Sequence, residues 1–262
     1  MNIIKQEIRS QKLSIIIWSL SIGLMIAMCV IMFPEMKSEM DGVNKLFASM
    51  GAFTKAFGMD KLNFGTLIGF YAVEGGNILA IGGAFFAAVT AISALLKEEK
   101  ERTAEFLLTH PVSRTRVVLE KLASVYIIII LLNLIVLICS AGSVLIIGEE
   151  MDWKVLLLFH MAYLLMQFEI AGICFGISAF LSRSGLGIGI GLASVLYFLN
   201  ILANISKDAK VLKYITPFGY TEGADILNEK ALNAGYLLPG MLIMAVFIIF
   251  AFVYYNKKDI NA

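Results

Sequence analysis

Two acidic residues lie inside long apolar runs of this chain, Glu74 and Glu169. An ionised carboxyl group is costly in hydrocarbon, so each must face a bundle interior, a polar cavity or a partner subunit. That makes both candidates for a substrate or ion path or for gating, with a buried, satisfied structural contact as the competing reading. Asn77 follows Glu74 by one helical turn and joins the candidates, whereas Gln167 is near Glu169 in sequence but on another helical face. The other reactive side chains offer less. His110 and His160 have no companions at metal-ligand spacing, and Cys29, Cys139 and Cys174 sit in apolar runs without a CxxC pair, so no metal site is expected and the cysteines read as packing residues. The chain contains no GxxxxGK(S/T), HExxH or GxSxG pattern. Gly185, Gly187, Gly189 and Gly191 open an apolar run instead of following a strand, which excludes a dinucleotide fingerprint. Gly187 and Gly191 have the small-xxx-small spacing that lets two helices approach closely.

The elements that must position these residues follow from composition. The chain is 59% hydrophobic and 16% charged, with mean hydropathy +0.84, whereas soluble domains run at roughly 45–50% apolar and about 25% charged. An all-α polytopic membrane bundle is expected, a single membrane domain over 1–262 with six spans at 13–33, 67–96, 122–147, 155–181, 186–205 and 236–255. An even number of spans puts both termini on one side. Lys5, Arg9 and Lys12 precede the first span and only Lys37 closely follows it, so the termini and the 97–121 loop are expected in the cytoplasm, together with 12 of the 21 Lys and Arg residues. The first apolar run is too long for a secretory signal, and no small-x-small cleavage site follows it. Ile4, Ile8, Gln11 and Ile15 share a face, which suits a short interfacial helix over 1–12. Two external segments are expected, 34–66 and 206–235. In the first, Leu46, Met50, Phe53 and Phe57 make one apolar helical face; in the second, Pro217, Gly219, Tyr220 and Gly223 break the chain into short pieces, part of which can fold back into the membrane if protein or water satisfies its backbone. The net charge of +1 argues for no particular partner, and no nucleic-acid partner is expected.

Residues 97–121, KEEKERTAEFLLTHPVSRTRVVLEK, form a charged island between two spans. Glu98 and Arg102 stand at i, i+4 on a helix continuing the second span, and Phe106, Leu107 and Leu108 follow as an apolar cluster. Pro111 disfavours helical geometry at His110. Ser113 can cap a new helix that carries Arg114 and Arg116 into the third span. Helix, Pro-containing turn and helix with exposed Leu and Phe describe a docking knob more than a solvated linker.

This stretch, from Glu98 through Thr103, the Leu107–Leu108 pair and Pro111-Val-Ser-Arg114, resembles the signature of type-2 ABC exporter permeases, with Arg102 where many members have Gly. The ending Tyr255-Asn-Lys-Lys-Asp-Ile260 is similar to the basic-Asp-apolar ending of that family. The resemblance implies six spans, cytoplasmic termini and an interfacial helix before the first span, in the cell membrane of a prokaryote. It implies that the 97–121 loop is the coupling element for a separate cytoplasmic ATPase subunit, with Glu98, Glu99, Arg102, Thr103, Glu105, Leu107, Leu108, Pro111 and Arg114 as contacts. It further implies export between two permeases, same or related, with ATP and Mg held by the partner and no cofactor bound by this chain, which is then no enzyme itself. Two other classes compete. An ion-coupled secondary transporter would use Glu74 and Glu169, although no internal repeat supports it. A membrane enzyme would need paired catalytic groups, and His160 and Glu169, nine residues apart and so roughly 13 Å along a helix, cannot meet within one helix.

Overall fold

The computed structural model describes residues 3–39, 42, 45–46, 49–96, 113–181 and 185–257. Among the described residues, six helices are long and apolar enough to cross a membrane: α1 (Ile3–Met36), α3 (Leu67–Ile92), α4 (Arg114–Ile147), α5 (Trp153–Ser178), α6 (Leu186–Ile205) and α8 (Ala234–Lys257). Short helices α2 (Ala52–Ala56) and α7 (Gly223–Glu229) belong to the connections, and no strand occurs among the described residues. Chemistry local to the chain sets the helix ends. The Thr66 hydroxyl accepts from the Gly69 amide, Ser113 from Arg116, and Asp152 from Lys154 and Val155, each at the N-cap of its helix. Gly148, at φ 68°, closes α4 in the left-handed conformation that favours glycine. Nothing between residues 12 and 13 breaks the helix, so the expected interfacial segment and first span run as one continuous α1.

The bundle is layered by burial. In the most apolar windows of α3 and α5, 67% of residues are buried, against 11% in α8. α3 and α5 therefore form the centre, with α1 and α4 packed together on one side, α6 against α3 and α8 against α5. Outward-facing Leu13, Leu24, Ile138, Phe198 and Leu242 belong to an apolar surface suited to lipid. Among polar groups, the Asn133 amide donates to the Gln167 carbonyl oxygen at 2.7 Å, joining α4 to α5 where Gly83 of α3 leaves room for the Gln167 side chain. The glycines of α6 that meet α3 are not the pair at small-xxx-small spacing. Gly187 and Gly191 face open space, and the close approach is made by Gly185 and Gly189, whose Cβ positions would meet Ile92 of α3 at 2.9 and 3.0 Å.

The start of α1 and the end of α8 lie at the same end of the bundle. The Ile3 amide donates to Glu120 at 2.9 Å, and the Thr115 hydroxyl donates to the Asn256 side chain at 3.3 Å, so the start of α4 touches the start of α1 and the end of α8. At the far end, the chain from 208 to 226 folds back among the helices. The Thr216 hydroxyl donates to the Leu196 carbonyl at 2.8 Å, nine residues and so about 13 Å along α6 from its end at Ile205. Its backbone is satisfied as burial requires: the Tyr163 hydroxyl donates to the Thr221 carbonyl, and the Gly219 and Thr221 amides donate to Thr216 and Phe218. Phe218, Tyr220, Ala224 and Ile226 are buried, so this segment plugs the bundle at that end.

Candidate functional site

The residues flanking the charged loop converge on one buried cation. Lys121, on the second turn of α4, is wholly buried. Its Nζ donates to the Ala94 carbonyl at 2.7 Å and to Glu7 Oε1 at 3.2 Å. Ala94 lies in the turn that ends α3, just before the loop; Glu7 lies on the second turn of α1. A buried charge is tolerated only when paired and hydrogen-bonded. Here the pairing draws three segments together: the approach to the loop, the departure from it and the N-terminal helix. Ala94 lies just past the C-cap Ser93, so a cation bound to its carbonyl also meets the negative pole of the α3 dipole. Around this pair, Glu120 accepts from the first turn of α1 and from Arg116 at 2.7 Å. Arg114 of the coupling set begins α4, and its guanidinium donates to the Asn256 carbonyl of α8 at 3.4 Å. Glu98, Glu99, Arg102, Thr103, Glu105, Leu107, Leu108 and Pro111 lie outside the described residues.

The three residues expected on a path diverge. Glu74 is half-buried on α3. Asn77, one turn on, faces α6, where its Oδ1 accepts from the Tyr197 hydroxyl at 3.4 Å. It lines a cavity of about 40 Å³ with Tyr163, Asn200, Asn204 and Thr221. Glu169 is fully buried against α8. Its Oε1 accepts from the Tyr220 hydroxyl at 2.9 Å, while Oε2 has no hydrogen-bond partner. A Cβ on Gly240, the residue after Pro239, would overlap that carboxyl group, so the glycine is what lets α8 seat on it. Asn77 turned to α6 and Glu169 seated against α8 make no common ion site. His160 and Glu169 likewise have separate partners: His160 Nε2 lies 2.9 Å from the Tyr71 hydroxyl, which donates to Ser140 Oγ at 3.0 Å. Among the described residues, no group of three His, Cys, Asp or Glu is placed to hold a metal ion.

Sequence reasoning missed the Lys121–Glu7 pair, although a signal existed: Glu7 shares the helical face of Ile4, Ile8, Gln11 and Ile15. It also missed the partner of Glu169, because Tyr220 is 51 residues away and belongs to the inserted segment.

Six membrane-length helices with a centre of α3 and α5 define a multi-pass, all-α membrane protein. The chain belongs to the ABC-2 transporter family: the family model described as "ABC-2 family transporter protein" matches residues 1–260. It is accordingly a membrane permease component of an ABC transporter. No curated protein matches it in sequence.

Proposed function

We propose that the chain is the membrane-spanning subunit of an ATP-binding-cassette exporter and that a separate cytoplasmic ATPase docks on the 97–121 loop. The observation that carries this reading is the Lys121 junction. A force applied to the loop acts on α3 through Ala94, on α4 through its first turns and on α1 through Glu7. A solvated linker has no need of a buried ion pair at its roots. ATP and Mg sit on the partner, whose closure on ATP moves the loop as a lever; this chain binds no cofactor. Leu107 and Leu108 fill an apolar cleft of the partner, while Glu98, Glu99, Arg102, Thr103, Glu105, Pro111 and Arg114 fix its orientation. The termini are cytoplasmic, and the inserted 208–226 segment closes the external end. A second permease, identical or related, completes the path. The open face of α6 carrying Gly187 and Gly191 supports such a contact, since nothing among the described residues occupies it. Asn77 lines a cavity and belongs to the path with Glu74, while Glu169 holds α8 and the inserted segment in place.

The test is affinity purification of the tagged chain in mild detergent. A soluble ATPase is expected to co-purify, and Leu107→Asp, or charge reversal at Glu98 and Glu99, is expected to leave membrane insertion intact while abolishing association and stimulated ATP hydrolysis. Recovery of the chain alone, with proton-coupled uptake in liposomes that requires Glu169, would establish a secondary transporter instead.

A further inference from the structure

At the end of the bundle remote from the termini, charge is sorted between two cavities. The wider, about 920 Å³, is lined by Glu149, Glu150 and Asp152 with Lys37. The other, about 230 Å³, is lined by Lys55, Lys61, Lys207, Lys210 and Lys213, with Glu222 as its one acidic residue. Nine lysines follow from the sequence for this side of the membrane, and five of them converge on this second cavity. Lysines that merely anchor a protein at an interface spread around its rim with their heads in water; here they come from three separate pieces of chain. Lys55 lies on α2, Lys61 ends the helical turn Met59–Lys61, and Lys207, Lys210 and Lys213 follow α6. The cavity wall is held by pairs: Lys213 is buried and its Nζ lies 3.5 Å from Glu222, and Lys61 lies 3.8 Å from Asp225. Among the described residues, Lys55, Lys207 and Lys210 form no ion pair, so their charges are left to the cavity.

We infer that this basic cup is a binding site for a phosphate-bearing anion, and specifically for the headgroup of an anionic lipid. Concentrated charge of one sign in a concave wall focuses the field on its contents. The cup is smaller than the roughly 300–1,000 Å³ of pockets for drug-sized ligands, which fits a headgroup and leaves an attached chain outside. A place for that chain adjoins it. Phe198, Leu202 and Ile205 are exposed on the last turns of α6, and Ile205 also lines the cup. Cup and interior are also neighbours, since Asn204 and Glu222 line both this cavity and the polar one that contains Asn77. An amphiphile seated here would touch the lipid face through Ile205 and, through Asn204 and Glu222, the wall shared with the interior cavity. The assignment is independent of whether an ATPase docks on the 97–121 loop.

The experiment uses the full chain in nanodiscs of phosphatidylcholine, with retention of fluorescent phosphatidylglycerol measured against fluorescent phosphatidylcholine and inorganic phosphate added as competitor. Wild type is expected to retain the anionic probe with at least about tenfold preference, falling as salt is raised. The Lys207→Glu/Lys210→Glu variant, altered only at exposed positions, is expected to lose the preference, whereas Lys154→Glu, on the same side but outside the cup, is expected to keep it. Displacement of the probe by phosphate at low concentration would support the phosphate chemistry and move the natural ligand from a lipid to a free anion. Equal retention of both probes by wild type, or equal loss in the Lys154→Glu control, would overturn the site. ATPase co-purification measured on the same variants separates this failure from failure of the coupling reading.

Discussion

Removal of the Lys121 ammonium should reveal how much of the fold depends on the loop roots. The side chains of Lys121 and Glu7 are 1% and 8% exposed, so neither charge has water to fall back on. Lys121→Met removes the buried cation that faces the Glu7 carboxylate and the donor to the Ala94 carbonyl. Breaking a buried pair from one side costs about 3–5 kcal/mol, a large part of the roughly 5–15 kcal/mol that holds a typical protein folded. Glu7→Gln should cost less, because Lys121 keeps the Ala94 carbonyl and an amide oxygen remains as acceptor. The double variant removes both charges and fills the space with a flexible apolar chain, so its cost should fall short of the sum of the singles by about 1–3 kcal/mol. Arg116→Ala supplies the comparison: it removes an exposed i, i+4 pair worth roughly 0.3–0.5 kcal/mol. The assay is unfolding in a graded detergent series, followed by tryptophan fluorescence. A Lys121→Met midpoint equal to that of Arg116→Ala, or full additivity in the double variant, would refute the argument.

Two further effects are open to test. Gly240→Ala should drive a Cβ into the Glu169 carboxyl group and part α8 from α5, lowering stability by about 1–3 kcal/mol in the same unfolding assay, while Gly191→Ala, which meets open space, should stay within about 0.5 kcal/mol. At the far end, the hydrogen bond from Lys230 and the first amides of α5 hold the Asp152 carboxyl below the usual carboxylate range. A depressed value means the link is at full strength above the ordinary Asp value of about 4 and is lost only as pH falls through the lowered one. The emission of adjacent Trp153, measured in a Trp18→Phe background, should therefore hold steady down to about pH 4 and shift below it, and Asp152→Asn should abolish that transition.

The six spans were legible because each depends on composition averaged over some 20 residues, which no tertiary contact can reverse. Caps were legible for a similar reason. Ser113 precedes its helix immediately, and its hydroxyl needs only the amide of Arg116 three residues on. Lateral pairing was not legible. In α6 the apolar residues surround the helix, so no hydrophobic period chooses between the Gly187–Gly191 register and the Gly185–Gly189 register that actually meets α3. Glu169 could be read as a residue in need of a partner, but nothing in its neighbourhood points to a tyrosine on a segment that re-enters the bundle between two later spans. The Lys121–Glu7 pair was hidden differently. The inward face of α1 was visible, yet it was expected to rest on lipid headgroups, where a glutamate needs no buried cation.

The same junction bears on coupling, and the two expectations can be separated. α3 ends at the Ala94 turn that Lys121 holds, and at its other end Ala72 lies against Gly223 of the inserted segment, where a Cβ would come within 3.1 Å. A helix transmits axial displacement because its rise is fixed by its own hydrogen bonds. Movement of the loop roots should therefore reach the plug through α3, provided that Lys121 keeps α3 and α4 moving together. On the proposed function, a Lys121→Met variant that still folds should bind its ATPase and permit hydrolysis while transport falls, whereas Leu107→Asp should lose association itself. Reconstituted transport and hydrolysis measured side by side decide the matter. Transport that falls only in proportion to hydrolysis in Lys121→Met would leave the cation a purely structural role and remove α3 as the transmitting element.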